Sequence, residues 1–326
     1  MEKLFCIVKR YGVALFCCFF LSATLYAADE AEGVKGIAEE EYTPTEEVLE
    51  VNFVQVEMPY HMSVKAMEGA FKNAEPVTVK LQEQDKAFPN GGGSVKSADV
   101  KAVHDGITIY FQISWDDRTK DVRQIAIHEF RDAVALMFPL GKVVIGPVGP
   151  AEHFSPRMGD REKPVNLWHW KADWEGDLVA KDELEDIDAQ YPNWHDDFNT
   201  NPYSVNYHKG LISSPPILSG GRAVHNLLSM PGRKTVVEDL NAEGFGTLTT
   251  QDHQDVNGCS NYENGRWTVV VYRPLITDDP YDVQFIPGES TYFNMAVWNG
   301  SRQDRNGQKS LSMRWNPLRI GKIAWE

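Results

Sequence analysis

The chain has 326 residues, 42% of them hydrophobic, and carries 47 acidic against 32 basic side chains, a formal charge of −15. So acidic a balance argues against nucleic acid or anionic membrane as a partner and leaves a basic protein as the natural charged one. Three of the four cysteines, Cys6, Cys17 and Cys18, fall within the first 27 residues, so beyond them Cys259 is the only thiol; that excludes an internal disulfide, a CxxCH haem attachment and a cysteine-held iron–sulfur cluster there.

In chain order, residues 1–27 read as a secretory signal. Lys3, Lys9 and Arg10 supply a positive start, and Gly12 to Leu21 an apolar run too short to favour spanning a bilayer. Ala23 to Ala28 is a small-residue stretch suited to cleavage near Ala27. Cleavage removes three basic residues and one acidic one, moving the formal charge from −15 to −17. No later segment approaches a transmembrane span, so the mature chain is expected to be exported without one. Residues 28–55 are acidic and weakly hydrophobic and read as an N-terminal arm. Residues 56–326 are left to form the folded domain.

Strand signals follow. In "DVKAVHDGITIYFQISWDD", Ile107, Ile109, Phe111, Ile113 and Trp115 alternate with Thr108, Tyr110, Gln112 and Ser114, and Asp105–Gly106 supplies the turn from a preceding short strand. "DAVALMFPL" (Asp132 to Leu140) and "GRWTVVVYRPL" (Gly265 to Leu275, with Asn264–Gly265 at its start) are further strands. "TYFNMAVWNG" and "KSLSMRWNPLRI" alternate again and read as a C-terminal hairpin around the polar loop "SRQDRNGQ". Helical pattern is confined to the acidic "EGDLVAKDELEDIDAQ". Residues 175–264 are rich in Asn, Asp, Gly, Pro and His with few strand signals, and read as an insertion. The expected architecture is all-β: an antiparallel β-sandwich with a large irregular insertion and few short helices.

Common catalytic signatures are missing. The paired carboxylates Asp116–Asp117 and Asp196–Asp197 point to opposite sides if they end strands, which argues against glycosidic acid–base work. The nine histidines show neither HxH nor HExxH spacing, no GxSxG elbow occurs, and the glycines of "NGGGS" (Asn90 to Ser94) precede no helix, so they read as a flexible loop. The densest ligand-capable stretch is "RMGDREKPVNLWHWKADW", Arg157 to Trp174. Taken alone, its tryptophans read as packing residues, Met158 as a loop methionine capping the core, and Lys309 far downstream as a solvated loop lysine.

Five blocks taken in order change that reading. "VKAVHDGITIYFQISWDD", "FRDAVALMFPL", "RMGD…PVNLWHWKADW", "GRWTVVVYRPL" and "FNMAVWNGSRQDRNGQKSLSMRW" together resemble the haem-b-binding gamma subunit of the ethylbenzene dehydrogenase and dimethylsulfide dehydrogenase type. Such subunits accompany molybdenum enzymes of the dimethylsulfoxide reductase superfamily. The extended form seen here most resembles the gamma subunit of nitrite oxidoreductases from anaerobic ammonium oxidisers.

The resemblance implies a β-sandwich holding one non-covalent haem b between a methionine and a lysine, which fall on Met158 and Lys309. Trp168, Trp170 and Trp298 are the implied apolar neighbours of the ring, with Met313 and His169 as reserve ligands. It further implies a non-catalytic electron-transfer subunit. Its partners would be a molybdenum-containing alpha subunit, an iron–sulfur beta subunit and a soluble c-type cytochrome, in the periplasm or an equivalent compartment such as the anammoxosome lumen. The alternative is an exported carbohydrate-binding β-sandwich using Trp168, Trp170 and Trp174 as a sugar platform.

Overall fold

The computed structural model describes residues 47–55, 62–124, 127–141, 145–146, 149–150, 155–179 and 235–323. The signal segment, the arm before residue 47 and the stretch 180–234 lie outside them, as does the expected helix beyond Val179. Sixteen strands are described: β1 (Leu49–Phe53), β2 (Val77–Lys80), β3 (Gln82–Glu83), β4 (Ser97–His104), β5 (Thr108–Asp116), β6 (Ala133–Pro139), β7 (Ile145–Gly146) and β8 (Gly149–Pro150), then β9 (Val165–Lys171), β10 (Val237–Ala242), β11 (Thr249–Thr250), β12 (Asn257–Glu263), β13 (Arg266–Pro274), β14 (Ser290–Trp298), β15 (Ser310–Leu311) and β16 (Asn316–Ile320). Two short helices, α1 (Val64–Met67) and α2 (Ala172–Val179), complete them.

The fold is the expected all-β sandwich. One sheet runs β16–β1–β4–β5–β13–β12, with β2 also on β4; the other runs β11–β10–β9–β6–β14, continued by β15 and β3. Strand β14 belongs to both: Ser290–Phe293 pair with β16, and Asn294–Trp298 pair with β6. Pairing is antiparallel except at β1, which lies parallel to both β16 and β4.

Period-two alternation decides what each face meets. Ile109, Phe111, Ile113 and Trp115 of β5 point into the inter-sheet core, as predicted, while Ile107 falls in the turn and is 75% exposed. From the second sheet, Val134, Leu136 and Phe138 of β6 and Trp168 and Trp170 of β9 point into the same core. α1 covers the outer face of the first sheet, where Val64, Met67 and Phe71 pack with Val103, Tyr110 and Val270. The second sheet's outer face carries separate clusters built from alternate residues of β6, β9 and β14.

Three boundaries differ from the sequence reading. The assigned arm, 28–55, ends in a strand: Leu49 and Val51 of β1 are fully buried between β16 and β4, and the alternation is too short to stand out beside acidic sequence. The assigned insertion, 175–264, contributes β10, β11 and β12; β10 pairs with β9 along six residues, and β12 forms a hairpin with β13. Asn264–Gly265 makes that hairpin's two-residue turn, with φ of 52° and 75°, as a primed turn requires. The C-terminal hairpin is broken, because β14 pairs with β15 over two residues and with β16 only after the chain has crossed between sheets.

Candidate functional site

An open cleft lies on the outer face of the second sheet. Ala135 of β6 and Ala296 of β14 are direct cross-strand partners and form a low floor, with Leu167 of β9 and Met137 beside them. The walls are Pro156 to Met158 on one side and Lys309, Leu311 and Met313 on another, with Trp298, Phe245 and the Gln84–Lys86 segment completing them. Met158 and Lys309, the two residues the sequence resemblance singles out, thus line one cavity although 150 residues separate them in the chain.

Met158 is held by a strained but well-supported loop. Its φ is +71°, a left-handed conformation that costs a side-chain-bearing residue about 1–3 kcal/mol. Gly159 follows at φ +76°, where an added Cβ would sit 2.7 Å from the Lys163 carbonyl oxygen. The turn closes through reciprocal backbone bonds between Asp160 and Lys163, and the Gly244 N–H donates to the Met158 carbonyl at 2.7 Å. Met158 itself packs on the outer-face cluster that holds Met137 and Leu167.

Lys309 is fixed from behind by the "NGGGS" run. That run is no free loop: the Lys309 N–H donates to the Gly91 carbonyl at 3.2 Å. Gly92, at φ +91°, lies so close that a Cβ there would fall 2.4 Å from the Lys309 backbone. The buried Gln84 amide binds the two loops together, donating to the carbonyls of Ala87, Pro89 and Gly307 and accepting from the amides of Lys86 and Ala87.

The Lys309 side chain faces apolar groups. Its Nζ lies 5.0 Å from the centre of the Trp298 ring and, among the described residues, makes no hydrogen bond or ion pair. Burial accordingly pushes the amine down from 10.5 to about 8. Trp298 is held by a bond from its Nε1 to the Asn306 carbonyl, 3.2 Å, and by stacking on His169 with ring centres 4.6 Å apart. Burial, with the charges of Lys171, Arg131 and Lys309, holds His169 well below the usual histidine range, so it is neutral. His169 does not line the cleft, whereas the other reserve, Met313, does.

Two expected neighbours are elsewhere. Trp168 and Trp170 occupy even positions of β9 and therefore point away from the cleft into the sandwich interior, 1% and 0% exposed. Trp168 packs against Phe111, Phe138 and Phe285, and Trp170 against Trp115 and Trp267. Trp174 is also buried, at 1%. The sugar-platform alternative therefore has no exposed rings at these three positions. What the sequence reading missed was the alternation of alanines: Ala133, Ala135 and Ala296 leave the sheet's outer face low enough for a flat ligand to approach.

Fold and site together define a β-sandwich protein with an external apolar cleft between a thioether and a desolvated amine. The chain belongs to the ethylbenzene dehydrogenase family, whose sequence model matches residues 68–310, well over half of it. Among its relatives is a Haloferax mediterranei protein provisionally named respiratory nitrate reductase heme subunit ORF7, 24% identical over 74% of this chain and 63% of that one. Another is the chlorate reductase subunit gamma of Ideonella dechloratans, 25% identical over 72% and 71%. The chain thus spans a little under two thirds of the Haloferax relative. Similar solved structures include a family 9 carbohydrate-binding module from Caldicellulosiruptor kristjanssonii in complex with glucose, with 7% identity, a TM-score of 0.36 and coverage of 85% of this chain and 97% of that one. A likeness at that score carries no argument about function. No described helix is long and apolar enough to cross a membrane.

Proposed function

We propose that this chain is an electron-transfer subunit that binds one haem b non-covalently in the outer-face cleft, with Met158 and Lys309 as the axial ligands. The observation that carries the reading is Lys309: a lysine ligates iron only as the free amine, and this amine has no competing hydrogen-bond partner among the described residues and a pKa lowered to about 8. The donor set fits the group, because a thioether and an amine flank a floor of alanines. When bound, haem supplies a one-electron redox centre.

The chain's own residues do the rest. Met158 and Lys309 would hold the iron, and the haem would supply one-electron exchange, so the subunit would serve as an electron relay. A thioether ligand favours the ferrous state and raises the potential. Trp298 and the alanine floor supply an apolar lining, and Arg157 offers positive charge to carboxylate groups, whereas Lys86 is paired with Asp85 of the same cleft at 3.3 Å.

The parent assembly would comprise a molybdenum-containing alpha subunit and an iron–sulfur beta subunit, and the complex we propose is a nitrite oxidoreductase. A soluble c-type cytochrome would exchange electrons at the acidic surface, and the location would be the periplasm or the anammoxosome lumen. The names of the relatives, a haem subunit and a gamma subunit of reductases, support the haem and the subunit role. Absorption spectroscopy of the native protein tests it. Reducible low-spin haem b bands are expected, altered in both the Met158→Leu and Lys309→Leu chains; a haem-free native protein, or unaltered spectra in both variants, refutes it.

A further inference from the structure

Phe245 lies midway along the connection between β10 and β11, between Glu243 and Thr247. Of the large hydrophobic side chains exposed among the described residues, it alone lines the cleft. It is 50% exposed, joins none of the core clusters and stacks on no ring among the described residues. An aromatic side chain that reaches a cavity wall and leaves half its surface in water still has apolar area to cover. The core does not cover it, so the cover comes from the cleft.

The connection can move the ring while its base stays fixed. Glycines flank Phe245, Gly244 at φ +122° and Gly246 at φ +80°, and a Cβ on Gly246 would meet nothing within 4 Å. The ring therefore sits between two pivots, one of them in open space. The base is tied by three bonds: the Gly244 N–H donates to the Met158 carbonyl at 2.7 Å, the Glu243 N–H to Thr247 Oγ1 at 2.7 Å, and that hydroxyl to the Gly244 carbonyl at 2.9 Å. The first of these puts Phe245 one residue from the group that holds the Met158 loop. Whatever seats the ring also steadies that wall.

We propose that Phe245 is a clasp on the bound haem: its ring packs on the cofactor in the cleft, and its glycine pivots let it swing aside for entry and release. The inference rests on the haem reading of the cleft and adds to it the residue that governs retention. A cofactor held non-covalently in an open cleft depends on its iron ligands and on apolar cover. Met158 and Lys309 supply the ligands, and Phe245 supplies cover from a wall that can move. Covering the exposed half of a phenylalanine corresponds to roughly tenfold in affinity. Because the ring is not an iron ligand, the effect falls on the rate of release and leaves the ligation of the iron as it is.

The test mixes the haem-loaded full chain with excess apomyoglobin and follows haem transfer through the Soret band. Phe245→Ala should release haem about tenfold faster than the native chain, with its low-spin bands unshifted. Phe88→Ala, altered at a ring 97% exposed that does not line the cleft, should release at the native rate. Equal release from Phe245→Ala and the native chain, an equal acceleration in Phe88→Ala, or shifted bands in Phe245→Ala overturns the clasp and leaves the haem reading standing. A native chain that takes up no haem overturns both. Should Phe245→Ala fold poorly, Phe245→Leu decides: release faster than native supports the clasp, and the native rate refutes it.

Discussion

Replacing Lys309 by leucine, which fills similar space and has no donor, should stabilise the cofactor-free protein while removing an iron ligand. Burial lowers the Lys309 amine from 10.5 to about 8, and a shift of that size represents about 3 kcal/mol of unfavourable burial of the charged form. The residue is only partly buried, and its Nζ lies 5.0 Å from the centre of the Trp298 ring, an attraction of about 1 kcal/mol. The net penalty is therefore about 2 kcal/mol. Below pH 8 the amine is charged in the folded and unfolded chains alike, and the penalty acts in full. Between about 8 and 10.5 the folded chain has released its proton and the unfolded chain has not, so native stability rises with pH. Above that window the penalty is gone. Denaturation of the two apo-proteins should show the leucine variant about 2 kcal/mol more stable at pH 7, roughly 4–8 °C in thermal midpoint, with the gap closing as pH climbs through the window. A variant less stable at pH 7, or a gap indifferent to pH, would refute the claim that Lys309 is held desolvated in the cleft.

Three further changes probe the cleft's construction. Met158→Leu should preserve the fold, lower haem affinity about tenfold or more and drop the potential of what still binds, measured by haem titration and redox titration. Gly92→Ala forces a Cβ to within 2.4 Å of the Lys309 backbone at φ +91°; it should cost about 1–3 kcal/mol and perturb the haem spectrum, although Gly92 does not line the cleft. Ala296→Leu adds bulk to a buried floor position packed against Trp298 and Leu311, so haem uptake should fail and the apo-protein should lose about 1–3 kcal/mol; normal uptake would place the ligand elsewhere.

How much of this was legible in the sequence is clearest along β9. Its strand character was readable only through the flanking Pro164 and aromatic residues, because both faces are buried: Leu167, His169 and Lys171 turn to the outer face, and Asn166, Trp168 and Trp170 to the core. A strand buried on both faces shows no hydrophobic alternation, so the direction of its tryptophans could not be read. Period two, anchored by one residue of known direction, would have sent Trp168 and Trp170 inward as soon as Leu167 was set outward. Met158 and Lys309 came instead from family resemblance, since no local pattern links two loops 150 residues apart. The glycines at 91–93 were legible as backbone freedom but not as the bed for Lys309, because that role lies in a long-range contact.

Strand β10, which sequence pattern left within an insertion, joins the buried carboxylates of the interior to the Met158 wall of the apolar cleft. Asp239 on its inner face sits in a cluster with Asp255 and Asp282, and Ala242 at its end leads directly to Gly244, whose N–H holds the Met158 carbonyl. The Ala242 carbonyl also lies 3.2 Å from where a Cβ on Gly159 would fall, so the Met158 loop is packed onto the end of this strand. β10 is nearly an edge strand, paired along its length with β9 and along only two residues with β11. Edge positions open at lower free energy than central ones. The interior contacts of Asp239, to Asn166 at 2.5 Å and to Gln251, therefore bear directly on how firmly the left-handed Met158 conformation is kept. A strained residue persists only where its surroundings over-determine it, and here the surroundings that matter reach through a single strand to the opposite face of the sheet.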